Sequence, residues 1–210
     1  TLGFSIMKYV QTGNSVVVPH GLTTTPSMII VKKISASSGW FVYNNFISGA
    51  GRGFLNNSNT FDNSGVPTFT STNIEFQNQD PFSPGESVVM YSFANETGFS
   101  KVGSYTGARP NDVLVQTGFQ PAFVMIKASN ATDDWFIVDN KREGTSAPTK
   151  ALLANSTAIE SSFTAVEFLS NGFKLVGSLN SGGTNNSGTT FIYLAIAADG
   201  STATPSLANS

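Results

Sequence analysis

The chain has no cysteine, a single histidine and little charge: 11 Lys and Arg against 13 Asp and Glu, together 11% of 210 residues. Without cysteine there are no disulfides, no thiolate zinc sites and no thiol chemistry, so stability must come from packing and ladder hydrogen bonds. With one histidine there is no His pair for a metal, and any Ser-His-Asp arrangement would have to be built on His20. The net charge is −2, and basic residues gather no further than pairs such as Lys32-Lys33 and Lys141-Arg142. That excludes a phosphate-tracking groove, and with it nucleic acid as a partner. No apolar run approaches the roughly 20 residues of a membrane-spanning helix, so no membrane insertion is expected. The first residues lack the charged and apolar regions of a signal peptide, and the start at Thr1 suggests a piece of something longer.

The place of the missing charge is taken by Ser, Thr, Asn and 20 Gly. The apolar residues include 17 Phe, with Val and Ile prominent among the rest, and these suit a pleated, half-buried surface. The composition is that of a neutral β protein.

A repeat runs through the chain. Gly3-Phe4-Ser5 returns as Gly98-Phe99-Ser100, Pro26-Ser27-Met28-Ile29-Ile30-Val31-Lys32 as Pro121-Ala122-Phe123-Val124-Met125-Ile126-Lys127, and Trp40-Phe41-Val42-Tyr43-Asn44-Asn45 as Trp135-Phe136-Ile137-Val138-Asp139-Asn140, each 95 residues on. The last pair contains both tryptophans of the chain. Looser matches join Leu55-Asn56-Asn57-Ser58 to Leu153-Ala154-Asn155-Ser156 and Ile74-Glu75-Phe76 to Val166-Glu167-Phe168. Short apolar runs between turn residues predict six to eight strands per unit, a sandwich or barrel pattern.

The expected fold is therefore all-β: two tandem β-sandwich, jelly-roll-like units related by internal duplication, over residues 1–96 and 97–198, with a polar tail at 199–210. Met28 to Val31, Val88 to Met90 and their counterparts are continuously apolar and should be central strands covered on both faces. Residues 47–66, 140–148 and 177–190 are expected as loops, and Thr149 to Ser156 is the best helix candidate.

Candidate chemistry is thin. His20, in Pro19-His20-Gly21, is read as a turn histidine whose place Thr117 takes in the second unit. Glu75 and Glu167 are the only pair resembling glycosidase carboxylates, and their recurrence with the strand favours a solvent-facing strand position. Asp133-Asp134 and Asp80 offer calcium oxygens without any known loop spacing. No catalytic, cofactor or metal residues are assigned. The candidate ligand residues are Trp40, Asn44, Asn45, Trp135, Asp139 and Asn140, where indole faces would stack on sugar rings and the neighbouring polar groups take hydroxyls. The competing reading, that both tryptophans anchor cores, is the favoured one.

Gly98-Phe99-Ser100-Lys101-Val102-Gly103, Gln116-Thr117-Gly118-Phe119-Gln120-Pro121, Asp134-Trp135 and Leu169-Ser170-Asn171-Gly172-Phe173-Lys174-Leu175 resemble a repeated domain of unknown function in tail-fibre-like structural proteins of marine bacteriophages. The first unit keeps part of this set and lacks the Leu-Ser-Asn-Gly-Phe-Lys-Leu stretch. The resemblance implies a non-enzymatic virion component located in the phage tail or particle surface. It implies other virion proteins as partners, a host cell-surface glycan as a further one, and a homo-oligomer, trimeric as is common in fibres.

Overall fold

The computed structural model describes residues 3–77, 81–177 and 183–198, and these contain strands and turns with no helix. The first unit has β1 Phe4–Val10, β2 Val16–Pro19, β3 Met28–Lys33, β4 Trp40–Asn44, β5 Arg52–Phe54, β6 Thr68–Phe69, β7 Asn73–Phe76 and β8 Ser87–Phe93. The second has β9 Ser100–Thr106, β10 Val113–Gln116, β11 Pro121–Ala128, β12 Phe136–Asp139, β13 Lys150–Leu153, β14 Ser161–Ser162, β15 Val166–Leu169, β16 Gly172–Leu175 and β17 Thr190–Ala197. Asp80, residues 178–182 of the loop expected at 177–190, and the tail at 199–210 lie outside the described residues.

Each unit is an antiparallel sandwich of one large and one small sheet. The first combines the order β1-β8-β3-β4-β5 with β2-β7-β6, and the second combines β14-β13-β12-β11-β17-β9 with β10-β16-β15. First and last strands of each unit pair in the large sheet, and the second strand lies in the facing sheet, which is the jelly-roll-like feature. The β4–β5 and β12–β13 hairpins stay in the large sheet, so the wrapping is less complete than in a jelly roll.

The alternation of inward apolar residues explains two of the cores. Val18, Ile74 and Phe76 of the small sheet meet Ile29, Val31, Tyr43, Val88 and Met90 of the large one. In the second unit Val115, Val166, Phe168, Phe173 and Leu175 meet Val124, Ile126, Val138, Tyr193 and Ala195. The remaining face of β3 and β11 is apolar as well, and a sheet face of that kind requires a cover. The two large sheets cover each other. Met28, Ile30, Val42 and Phe61 of the first unit form a third core with Val102, Met125, Trp135, Ile192 and Leu194 of the second. The protein is thus four sheets deep, small-large-large-small, and the units form one body. This is why Met28 to Val31 of β3, and Phe191 to Ala195 of β17, are buried without alternation. In β8 the run expected to be covered twice is buried only at Val88 and Met90, with Val89 and Tyr91 half-buried, because β8 lies at the margin of the third core.

Backbone hydrogen bonds cross the same interface. Phe61 N–H donates to Ser129 O at 2.7 Å and Asp133 N–H to Ser58 O at 3.0 Å. The segment delivering Phe61 was expected as loop, yet Arg52 to Phe54 joins the sheet as β5 and Arg52 bridges to Asp62, with a bidentate pair at 2.9 and 2.8 Å. Gly53 makes this possible: a Cβ there would lie 2.2 Å from the Phe61 ring.

Three expectations change register or type. Thr149 to Ser156 is not a helix: Lys150–Leu153 is β13, alternating with Ala151 buried and Leu152 exposed, because β12 offers it a free edge. Asn56 and Asn155 both accept the N–H of the strand tryptophan, at 2.7 Å for Trp40 and 2.8 Å for Trp135, so the equivalence there is 56 with 155, one residue from the sequence match. Similarly, β2 pairs with β7 as Val17↔Glu75 while β10 pairs with β16 as Leu114↔Lys174, which makes Glu75 the counterpart of Lys174 and not of Glu167. The β15–β16 hairpin, whose sequence the first unit lacks, is there in form as β6–β7.

Candidate functional site

The loop after the tryptophan strand differs between the two units. Asn44 opens it in the first unit. Its carboxamide oxygen accepts the N–H groups of Phe46 and Ile47 at 3.3 and 3.0 Å, its Nδ2 donates to Ala50 O at 3.0 Å, and its own N–H donates to Gly51 O. The chain therefore returns within a few residues. Asn45 is tied back by Nδ2 to Pro26 O at 3.2 Å.

Asp139 stands where Asn44 does and takes the same two backbone bonds, from Lys141 and Arg142 at 3.0 and 2.9 Å. Its second oxygen accepts from Arg142 Nε at 2.6 Å, and Arg142 also pairs with Glu160, which pairs with Lys150 at 3.3 Å. Burial alone would raise the Asp139 carboxyl, but the bonds from Arg142 and from the two amides outweigh it and hold the group below the usual carboxylate range. Glu143 closes the far side by accepting from Thr149 N–H and hydroxyl, both at 2.6 Å. A carboxylate in place of Asn44 thus recruits an arginine, and a longer, braced loop results.

The loop borders an open concavity of about 290 Å³ lined by Asn140, Lys141, Gly144, Thr145 and Ser146. The Asn140 carboxamide oxygen is buried and takes no hydrogen bond from any described residue, while its backbone N–H donates to Ala122 O at 3.0 Å. A buried acceptor without a donor is costly. The Thr145 and Ser146 hydroxyls and the Asn140 amide can exchange hydrogen bonds with a hydroxyl-bearing ligand.

Of the candidates drawn from the sequence, the structure therefore brings Asp139 and Asn140 together at one site, and Asp139 works in the brace. Asn44 is buried and spent in its turn, and Asn45 holds Pro26. Trp135 is no stacking platform: it is 1% exposed, packs on Phe61 with ring centroids 6.0 Å apart, and donates its indole N–H to Phe54 O at 2.8 Å across the unit boundary. Trp40 is half-buried, stacked on Tyr91 at 6.3 Å with Lys32 Nζ 5.9 Å from its ring. Lys141, Gly144, Thr145 and Ser146 are legible only as part of the 140–148 loop, because a Ser/Gly-rich loop looks alike with or without a concavity beside it.

The other sequence candidates fall away from any shared site. His20 is fully buried: Nδ1 accepts Leu22 N–H at 3.1 Å, which leaves Nε2 to donate to Thr70 O at 3.3 Å. Thr117 does the same work with its hydroxyl, accepting Phe119 N–H and donating to Phe119 O. Glu167 pairs across the hairpin with Lys174 at 2.7 Å. Glu75 and Glu167 sit in the two outermost sheets, three sheet spacings of ~10 Å apart. That is far more than the span of a glycosidase pair. Asp133 and Asp134 are joined to Ser58 and Asn155, and among the described residues no group of three or more His, Asp or Glu is placed to hold a metal.

The match to known families is of a single kind. Residues 1–199 match the family described as Domain of unknown function (DUF7483). The chain belongs to that family. Neither a curated protein nor a solved structure matches it. The DUF7483 match covers both sandwiches in one stretch, in keeping with two units that share a core.

Proposed function

We propose that this chain is a structural module of a phage particle, of the tail-fibre or tail-tip kind, that contacts a host-surface glycan through the loop at 140–148. The resemblance in its second unit supports the virion setting, and the four-sheet body gives such a module stiffness. The observation that carries the glycan part is the open concavity against the braced loop, lined by Asn140, Thr145 and Ser146. The hydroxyls of Thr145 and Ser146 and the carboxamide of Asn140 are groups that exchange hydrogen bonds with sugar hydroxyls. One such site binds weakly, and several copies on a particle raise the avidity without new contacts.

A glycan array probed with the chain displayed multivalently on beads tests this. Binding is expected, weakened by roughly tenfold in Asn140→Ala, the scale of one hydrogen bond, with thermal stability unchanged. An array that stays blank removes the glycan part and leaves the second reading, a decoration or spacer held by protein contacts. What favours that alternative is the apolar row of Phe4, Ile6 and Val10 on the surface of the first unit.

A further inference from the structure

The two large sheets end in equivalent edge strands, β1 and β9, and only one edge is closed. The alternation of ladder bonds fixes which groups face outward. Gly3 accepts from Ala94 and Gln11 donates to Glu86, so the odd-numbered residues of β1 bond β8 and the N–H and C=O groups of Phe4, Ile6, Lys8 and Val10 point away from the sheet. By the same rule the outward residues of β9 are Ser100, Val102, Ser104 and Thr106. There the linker folds over the first two: Ser100 exchanges both backbone bonds with Glu96, at 3.1 and 3.0 Å, and Val102 N–H donates to Asn95 Oδ1 at 2.7 Å.

Nothing comparable covers β1 among the described residues. Its ladder is seven residues long, with regular register and neither proline nor bulge, and of the devices that protect an edge it carries one, the exposed Lys8. Its exposed face is apolar as well: Phe4, Ile6 and Val10 are 37%, 56% and 48% exposed, where β9 carries Ser100, Ser104 and Thr106 with Val102 buried in the third core. The surface is continuous with that core, since Phe4 and Ile6 lie opposite Phe93 and Tyr91 on β8, which pack on it.

We propose that β1 is a homotypic interface, on which β1 of a second copy pairs antiparallel about a two-fold axis at Met7 and joins the two five-stranded sheets into one. This centring sets Phe4 opposite Val10 and Ile6 opposite Lys8, twice each. It brings all four outward residues of both strands into hydrogen-bonded pairs, each exchanging two bonds. Moving the axis to Lys8 would oppose the two ammonium groups and lose a pair, so charge and hydrogen bonding select the same register. The occupant is a second copy because the strand is its own complement in this register. The proposal does not rest on the glycan reading, and the two fail independently.

Sedimentation velocity on the full chain is expected to show a reversible dimer as concentration rises towards roughly millimolar. Ile6→Lys places like charges opposite each other at two points and weakens association by on the order of tenfold or more. Ile6→Glu faces Lys8 of the partner copy and keeps the dimer. Ile6 is exposed, so both variants retain the wild-type melting curve. A chain that stays monomeric across the range overturns the proposal. So does equal loss of association in both variants, which would indicate unspecific adhesion of an apolar strip.

Discussion

Trp135→Ala is expected to lower the unfolding free energy by about 3–5 kcal/mol, the range for removing a large buried aromatic, while Trp40→Ala costs about 1–2 kcal/mol, as for a half-exposed side chain. The sequence treats the two positions alike, so the difference comes from the packing of one unit on the other. Trp135 is enclosed by Phe61 and gives its indole N–H to Phe54 O, both from the first unit. Trp40 has Tyr91 and Lys32, from its own sheet, beside it. Urea melts followed by circular dichroism measure both costs. Because these are the only tryptophans, Trp40→Phe and Trp135→Phe each leave one emitter. If the third core couples the units, the Trp40 and Trp135 signals in these variants change together with the loss of β structure; separated transitions would show that each sandwich melts alone.

The third core was half legible. Continuous apolar runs at Met28–Val31 and in the closing strand of the second unit announced strands covered on both faces, and the structure bears that out for β3 and β17. What supplies the second cover is a matter of tertiary arrangement, because an apolar face looks the same whichever surface meets it. The repeat was legible in outline and misread by single residues. Gly3-Phe4-Ser5 and Gly98-Phe99-Ser100 match as words, yet Phe4 pairs with Phe93 and Ser100 with Ile196, while Met28 pairs with Phe93 and Phe123 with Ile196. Phe4 is thus the structural counterpart of Ser100. Since the side-chain period of a strand is two, a one-residue slip moves every side chain to the other face. Only the ladder bonds reveal it.

The candidate site was legible as single residues at Asp139 and Asn140 and as a loop at 140–148. Asn44 and Asp139 occupy equivalent places, and the sequence showed the change from amide to carboxylate. Its consequence depends on Arg142 and Glu160 reaching the same point from separate segments. The unpartnered Asn140 oxygen is a fact of geometry with no counterpart in composition. The same holds for the edge of β1, since Asn95 and Glu96 close the equivalent edge by hydrogen bonds that no motif announces.

Between pH 7 and pH 9.5 the protein is expected to gain about 2 kcal/mol of stability from one residue, Lys127. Its side chain is fully buried at the end of β11, with Nζ donating to Ala128 O at 2.7 Å and Ala131 O at 3.4 Å. Burial pushes its pKa down to about 8, against an attraction from Asp133 and Asp134 that offsets part of the cost. An unfolded lysine titrates near 10.4, so the unfolded chain binds more protons between about pH 8 and 10, and stability rises with pH across that window. Below pH 8 the lysine is charged in both states and the cost of burying it is carried in full. Burial also raises Tyr193 to about 12 and Tyr105 well above its ordinary value. Unfolded tyrosines ionise from about pH 10, so these two reverse the trend above that point and set the upper limit of the measurement. Urea midpoints at pH 7 and 9.5 read the gain in the wild type. In Lys127→Met the two carbonyls lose their donor, an effect independent of pH in this range, and the rise should vanish. A rise that survives in Lys127→Met would place the titrating group elsewhere and leave Lys127 solvated in the native state.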